Sequence, residues 1–380
     1  MRPQKLEHTL TSPLSMSSES GSSICRIEYQ PSAMVPTQVC TMGAYEIGRK
    51  ERGGLVTSSR NTTAGRVVVV GSAGFIGSSL VHQLDSQDVN VVGLDRSDVD
   101  ATDEAALLRL LRSGDVVINA VGYAVAGDES ANGQRLCTEL NVGVPMAVAS
   151  ACATIGALQF IHLSSVAAMG HLEGAVVDVD ARGPLLNSYA KSKRLAEEGF
   201  EDFASRVPIT VLRPTSVFGR GRPLARSLCR LSSLPIVPLP EGGSARVPFA
   251  HVDNVCSAIT CCIAQPTTYG RTFVVGDARS YPLLLIVGRL RQEMRVRGFT
   301  VPVPSGLFRA GTRAANGILA MLRKGPLMDV GKLLTLTTSV DYDISPFVAA
   351  TGYTPLTSIE AGLADIAAWY LGGSQMCSST

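Results

Sequence analysis

The chain has 380 residues, 45% of them hydrophobic, with 34 Lys and Arg against 32 Asp and Glu. That length accommodates one large α/β domain with additions, and a net charge of +2 gives no reason to invoke nucleic acid or a membrane surface. No stretch of 18 consecutive apolar residues offers a membrane span. Nine cysteines without a Cys-x-x-Cys pair and only five histidines argue against a zinc site and against a disulfide framework. No metal is therefore expected, and reduced thiols in a cytoplasmic setting are.

Residues 1–64 are polar and turn-rich, as in Ser17-Ser18-Glu19-Ser20-Gly21-Ser22-Ser23, and keep no sustained period. They read as a disordered N-terminal extension, and the fold is expected to begin near Arg66. Val67–Val70 is a short β-branched run, the pattern of a strand buried on both faces. Gly71-Ser72-Ala73-Gly74-Phe75-Ile76-Gly77 follows at once, then a helical stretch with Ile76, Leu80, Val81 and Leu84 on one face. The next apolar run, Val91–Leu94, ends in Asp95, eighteen positions after Gly77. Strand, glycine turn, helix, strand and acid form the layout that holds a dinucleotide. Gly71 permits the tight turn, Gly74 lets the backbone approach a pyrophosphate over the helix N-terminus, and Gly77 lets helix and strand pack closely.

Beyond Asp95, a helix is expected over Glu104–Leu111, a strand over Asp115–Gly122 and a helix over residues 139–155. A strand at Phe160–Leu163 runs into Ser164-Ser165. A helix over 187–206 and a strand at Ile209–Leu212 follow, ending at Arg213-Pro214. Strands alternating with helices imply an α/β, Rossmann-type, doubly wound parallel sheet. Pro and Gly rise from about residue 221. Residues 65–220 and about 251–280 are expected to form the dinucleotide-binding domain. Residues 221–250 and 281–373 would mainly form a smaller C-terminal substrate-binding lobe.

Tyr189 and Lys193 are four apart and share a helix face, which Ala196, Phe200 and Phe203 continue. A phenol titrates near 10 in water, and a nearby cation brings it closer to neutrality. An oxidoreductase needs such a group to remove an alcohol proton as hydride leaves carbon. Ser165, at the carboxyl end of a strand, can hydrogen-bond the reacting oxygen, and such strand ends are where doubly wound sheets bind ligands.

Gly71-x-x-Gly74-x-x-Gly77, Asp95, Asp100, Ser165, Tyr189-x-x-x-Lys193, Arg213-Pro214 and His251-Val252-Asp253 together resemble the extended short-chain dehydrogenase/reductases, the NAD-dependent epimerase/dehydratase family. The resemblance covers about residues 66–371. It implies catalysis by Ser165, Tyr189 and Lys193, with Lys193 also bonding the nicotinamide ribose. It implies a cofactor site formed with Gly71, Gly74, Phe75, Ile76, Gly77, Asp95, Arg96, Asp100, Ala120, Val121, Gly122 and Asn141. Asp95 would hold the adenosine ribose and favour NAD over NADP, while the adjacent Arg96 could accommodate a 2′-phosphate. Asn119–Ser130, Leu334–Ser339 with Asp341, and the Gly352-Tyr353-Thr354-Pro355 ending are similar to sugar-nucleotide 4-epimerases and 4-keto reductases. A nucleoside-diphosphate sugar, a 4-keto species and a homodimer are the corresponding implications. Ser216 stands where such enzymes often carry Asn, and Arg246 is displaced by one position; Ser216, Arg222 and Arg246 are the candidate substrate contacts, with Arg220 and Arg226 as alternative diphosphate partners. The absence of an Asp-Glu pair after Ser165 disfavours dehydration. Two alternatives are a 3β-hydroxysteroid-type or other small-alcohol dehydrogenase, with Val301–Leu322 lining an apolar pocket, and a non-catalytic dinucleotide sensor.

Overall fold

The computed structural model describes residues 66–125, 127–321 and 337–376. The expectation for residues 1–64, and the Leu334–Leu336 part of the C-terminal pattern, lie outside the described residues. In chain order the first half comprises β1 (Val67–Val70), α1 (Phe75–Ser86), β2 (Val91–Leu94), α2 (Glu104–Leu110), β3 (Val116–Asn119), α3 (Ala131–Thr138), α4 (Val144–Ile155), β4 (Gln159–Leu163), β5 (Gly174–Val177), α5 (Ser188–Gly199) and β6 (Ile209–Pro214). The second half comprises β7 (Ser216–Phe218), α6 (Pro223–Ser232), β8 (Ile236–Pro240), β9 (Arg246–Val247), β10 (Phe249–His251), α7 (Val252–Cys262), β11 (Arg271–Val275), β12 (Tyr281–Pro282), α8 (Leu283–Met294), β13 (Phe299–Val303), α9 (Ser305–Met321), β14 (Val340–Tyr342), α10 (Ser345–Thr351) and α11 (Ile359–Met376).

Six strands form one parallel sheet in the order β11-β6-β4-β3-β1-β2. The side-chain period of two explains why a run of four valines suits its centre. Val67 and Val69 pack with Leu80 and Leu84 of α1 and Ile259 of α7. Val68 and Val70 pack on the opposite face with Leu107 of α2 and Val148 of α4. Helices on both faces make the sheet doubly wound. Its order reverses between β1 and β3, and there the carboxyl ends open a ligand crevice.

The structure differs from the sequence reading at several boundaries. Helix begins at Ala131 rather than near 139, because Ser130 caps it by accepting from the Gly133 N–H. Polar Asn132, Gly133 and Gln134 hide the period there. A π-helical turn, Glu139–Gly143, joins α3 to α4. The whole run Ala131–Ile155 is long and apolar enough to cross a membrane, but Val144, Val148, Ala151 and Cys152 pack into the sheet's core. The strand expected to Gly122 ends at Asn119, and α5 ends at Gly199 before a 3₁₀ turn. β11 lies beside β6 at the edge of the main sheet. Phe347 of α10 also joins the main core, its ring 5.4 Å from Phe273 and 5.2 Å from Tyr353. Part of the stretch 281–373 is therefore built into the central core.

Candidate active site

The glycine turn closes on itself. Gly71 has φ of 88°, and a Cβ there would meet the Val121 N–H at 2.9 Å. At Gly77 a Cβ would stand 2.1 Å from the Gly71 carbonyl oxygen, well inside any permitted contact. The α1 N-cap is Gly74, without a side-chain cap and without an acid in the first turn. The helix N-terminus thus presents its N–H groups and positive dipole end outward, suited to a pyrophosphate. Gly77→Ala is expected to destabilise the protein by about 1–3 kcal/mol and to abolish dinucleotide binding. Thermal melts with and without NAD check this; a variant that NAD still stabilises would contradict it.

Asp95 follows β2 and accepts two 2.7 Å hydrogen bonds, from the Ser97 N–H and hydroxyl. These lower its pKa and keep it ionised. With Ser72, Ala73 and Gly93 it lines a surface cleft. Arg96 is exposed. Asp100 is exposed too, and bonds the Thr102 N–H at 3.0 Å and hydroxyl at 2.7 Å.

Ala120, Val121 and Gly122 continue from β3 into the crevice. Asn141, aimed inward by the π turn, grips this loop from behind. Its carbonyl oxygen accepts from the Tyr123 N–H at 2.8 Å. Its amide donates to the Tyr123 carbonyl at 3.1 Å and to the Ser192 hydroxyl at 3.0 Å. A Cβ on Gly122 would lie 3.2 Å from Lys193 Nζ and 3.3 Å from Asn141 Oδ1. Glu129 ties the same loop to the start of α5, accepting from the Ser188 N–H at 2.8 Å and hydroxyl at 2.6 Å.

Asn187 caps α5 through the Ala190 N–H, so the first turn of that helix presents Tyr189 and its second Lys193. Burial raises the Tyr189 phenol above its ordinary value; the facing Ser165 hydroxyl and the Arg222 charge oppose this. Ser165 also caps the 3₁₀ turn Val166–Met169, accepting from the Ala167 N–H at 3.1 Å. Lys193 is 3% exposed and donates to the Leu163 carbonyl at 2.9 Å. Burial brings its ammonium down to about 8, against the opposing Glu197 carboxylate.

Of the three candidate substrate contacts, Arg222 reaches this region. Its guanidinium stacks 5.0 Å above the Phe75 ring, and its charge reaches Tyr189. Arg246 has protein partners of its own. It donates to the Ser280 carbonyl at 2.6 Å and lies 3.5 Å from Asp341. Ser216 is half-buried on β7, its N–H bonded to the Pro248 carbonyl at 2.9 Å. Arg220 pairs with Asp365, and Arg226 stacks 5.6 Å from the Trp369 ring. Of the expected apolar lining, Leu307 is 65% exposed, and Leu322 lies outside the described residues.

Glu197, absent from the motif reading, and Arg213, named there without a role, buttress the site. Glu197 is four after Lys193, the same helical step that links Lys193 to Tyr189, and that step is the signal for it. Arg213 binds its carboxylate through Nε at 3.0 Å and Nη2 at 2.6 Å, and reaches the Val179 carbonyl at 2.6 Å. The Ser164 hydroxyl donates to the same carboxylate. The buried pair thus fixes α5 to the ends of β4 and β6, on either side of Ser165.

Fold and turn together define a class: a Rossmann-type α/β protein shaped to hold a dinucleotide. A family model described as "NAD dependent epimerase/dehydratase family" matches residues 67–276. A dTDP-4-dehydrorhamnose reductase of Mycolicibacterium smegmatis is 29% identical over 173 residues, which is 45% of this chain and 52% of that protein. The chain spans about half or less of the length of the curated relatives it matches. UDP-glucose 4-epimerase of Thermus thermophilus, solved with NAD, superposes with a TM-score of 0.61 at 18% identity, covering 81% of this chain and 99% of that one. RMD from Pseudomonas aeruginosa, complexed with NADPH, gives 0.63 at 18% identity over the same shares; these two likenesses are of fold. The chain belongs to the NAD dependent epimerase/dehydratase family, within the extended short-chain dehydrogenase/reductases.

Proposed function

We propose that this chain is an NAD-dependent enzyme acting at C4 of a nucleoside-diphosphate sugar through a 4-keto species, as a 4-epimerase or a 4-keto reductase. The observation that carries this reading is the Tyr189 phenol facing Ser165 at the carboxyl edge of the sheet, beside the uncapped α1 N-terminus. The residues fit a dinucleotide: the Gly71–Gly77 cradle would be filled by a Cβ, and Asp95 is an ionised acceptor for ribose hydroxyls. That acceptor favours NAD; a 2′-phosphate would meet the Asp95 charge. When bound, NAD accepts a hydride from the sugar and returns one.

Each catalytic role then follows from a side chain. Tyr189 takes the proton of the C4 hydroxyl and gives it back to the ketone oxygen. Ser165 donates to that oxygen and orients it. Lys193, held between the Leu163 carbonyl and Gly122, bonds the nicotinamide ribose. Arg222 supplies positive charge near the phenol and can meet the substrate diphosphate, for which a guanidinium fork is matched. Val166, Ala167 and Ala168 after Ser165 supply no carboxylate for water elimination.

A panel of nucleotide sugars, screened by thermal shift with NAD present, tests the substrate class, because ligands of the native state raise its apparent stability. UDP- or dTDP-hexoses are expected to stabilise the protein. Interconversion without added cofactor would assign epimerisation, and stoichiometric NADH consumption with a keto sugar would assign reduction. Stabilisation by sterols and by no nucleotide sugar would overturn the reading.

A further inference from the structure

We propose that the far end of the C-terminal lobe is a docking face for an anionic lipid surface. Leu234, Ile236 and Phe299 are 47%, 51% and 59% exposed. They are neighbours: β8 and β13 run parallel with Ile236 opposite Phe299, so both side chains leave the same face of the ribbon. Pro238, two residues on from Ile236 and on that same face, is exposed as well.

The apolar tip is built rather than frayed. The Phe299 N–H donates to the Pro235 carbonyl at 3.0 Å. A Cβ on Gly298 would lie 2.5 Å from that same oxygen, so only glycine allows the two segments to close. Arg291, 8% exposed, donates to the Ser232 carbonyl at 3.1 Å and to the Leu234 carbonyl at 2.7 Å. A buried guanidinium thus holds the turn that presents Leu234 and Ile236 to solvent.

Around the tip the charge is predominantly positive. Arg230, Arg295 and Arg297 are exposed beside it. Residues 289–299 hold four arginines, of which Arg291 is buried, and one acid, Glu293, which Arg289 binds at 2.7 Å. The whole-chain charge of +2 conceals this local excess. A built cluster of Leu, Ile, Pro and Phe with exposed arginines in the segments that flank it, and with the neighbouring Ser233 hydroxyl already bonded to the Cys229 carbonyl, matches the acyl–headgroup boundary of an anionic membrane. A protein partner would call for about one hydrogen bond per 100–200 Å². The face stands at the opposite end of α6 from Arg222, roughly 15 Å away at 1.5 Å per residue. Docking there leaves the active-site crevice open.

Co-sedimentation of the full chain with vesicles tests the proposal. Binding is expected to vesicles of phosphatidylglycerol and phosphatidylcholine, to weaken in high salt, and to be slight with phosphatidylcholine alone. Phe299→Ser is expected to weaken binding about tenfold. Arg295→Gln with Arg297→Gln is expected to weaken it by about thirtyfold, near fivefold per charge. All three side chains are exposed, so thermal melts should stay close to that of the parent. No binding to the anionic vesicles, or binding that Phe299→Ser leaves unchanged, would overturn the proposal. So would self-association without lipid binding that is lost in Phe299→Ser, which would assign the face to a second copy.

Discussion

Tyr189→Phe is expected to lower kcat about a thousandfold, within the range that positioned acid–base groups contribute, and to leave NAD affinity nearly unchanged. Phenylalanine fills the same space on α5 and removes only the oxygen facing Ser165. The pH profile gives a sharper test. Burial holds the phenol above its ordinary value, and Arg222 opposes that rise. Alcohol oxidation, which needs phenolate, should therefore accelerate as pH rises. Arg222→Met removes the opposing cation, so the ascending limb of kcat/KM should move to higher pH. A variant at Tyr189 with full turnover would end the acid–base assignment. An unmoved limb in Arg222→Met would remove Arg222 from the phenol's environment.

The central sheet was legible because its signals are local. Four valines with no polar break suit only a strand covered on both sides, and the glycines follow within seven residues. Tyr189 and Lys193 were legible for the same reason, since one helical turn brings them to one face. The rest depends on contacts distant in sequence. Glu197 and Arg213 meet only because α5 crosses the end of β6. Arg222 reaches Phe75 because Gly219 is pressed between Phe75 and Val252, where a Cβ would stand 3.0 Å and 2.8 Å from their side chains. The strands β9 and β12 are two residues each, too short to carry a period. Arg246 read in sequence as a candidate diphosphate contact, and only the fold shows its bonds to Asp341 and the Ser280 carbonyl.

Lys193→Met is expected to remove turnover while stabilising the protein at pH 7 and destabilising it at high pH, relative to the parent. The folded ammonium titrates at about 8 against a usual 10.5. Between those values the unfolded chain holds more protons than the folded one, so the parent's stability rises with pH through that window. Below about pH 8 the full penalty of burying the charge is present, about 3 kcal/mol at 1.36 kcal/mol per pH unit. Methionine removes that penalty but leaves the Leu163 carbonyl without its 2.9 Å partner, a loss of about 1–3 kcal/mol. The penalty outweighs that loss at pH 7 and vanishes by pH 10.5, leaving only the orphaned carbonyl. The difference between variant and parent should therefore swing by about 3 kcal/mol in the parent's favour between those pH values. Urea unfolding of both proteins without cofactor, at pH 7 and pH 10.5, measures that swing. A difference independent of pH would show that the ammonium is not held charged in a dry site, and Lys193 would then be an ordinary helix residue. A swing together with lost turnover would show that stability is forgone at this position for the site that Lys193 completes.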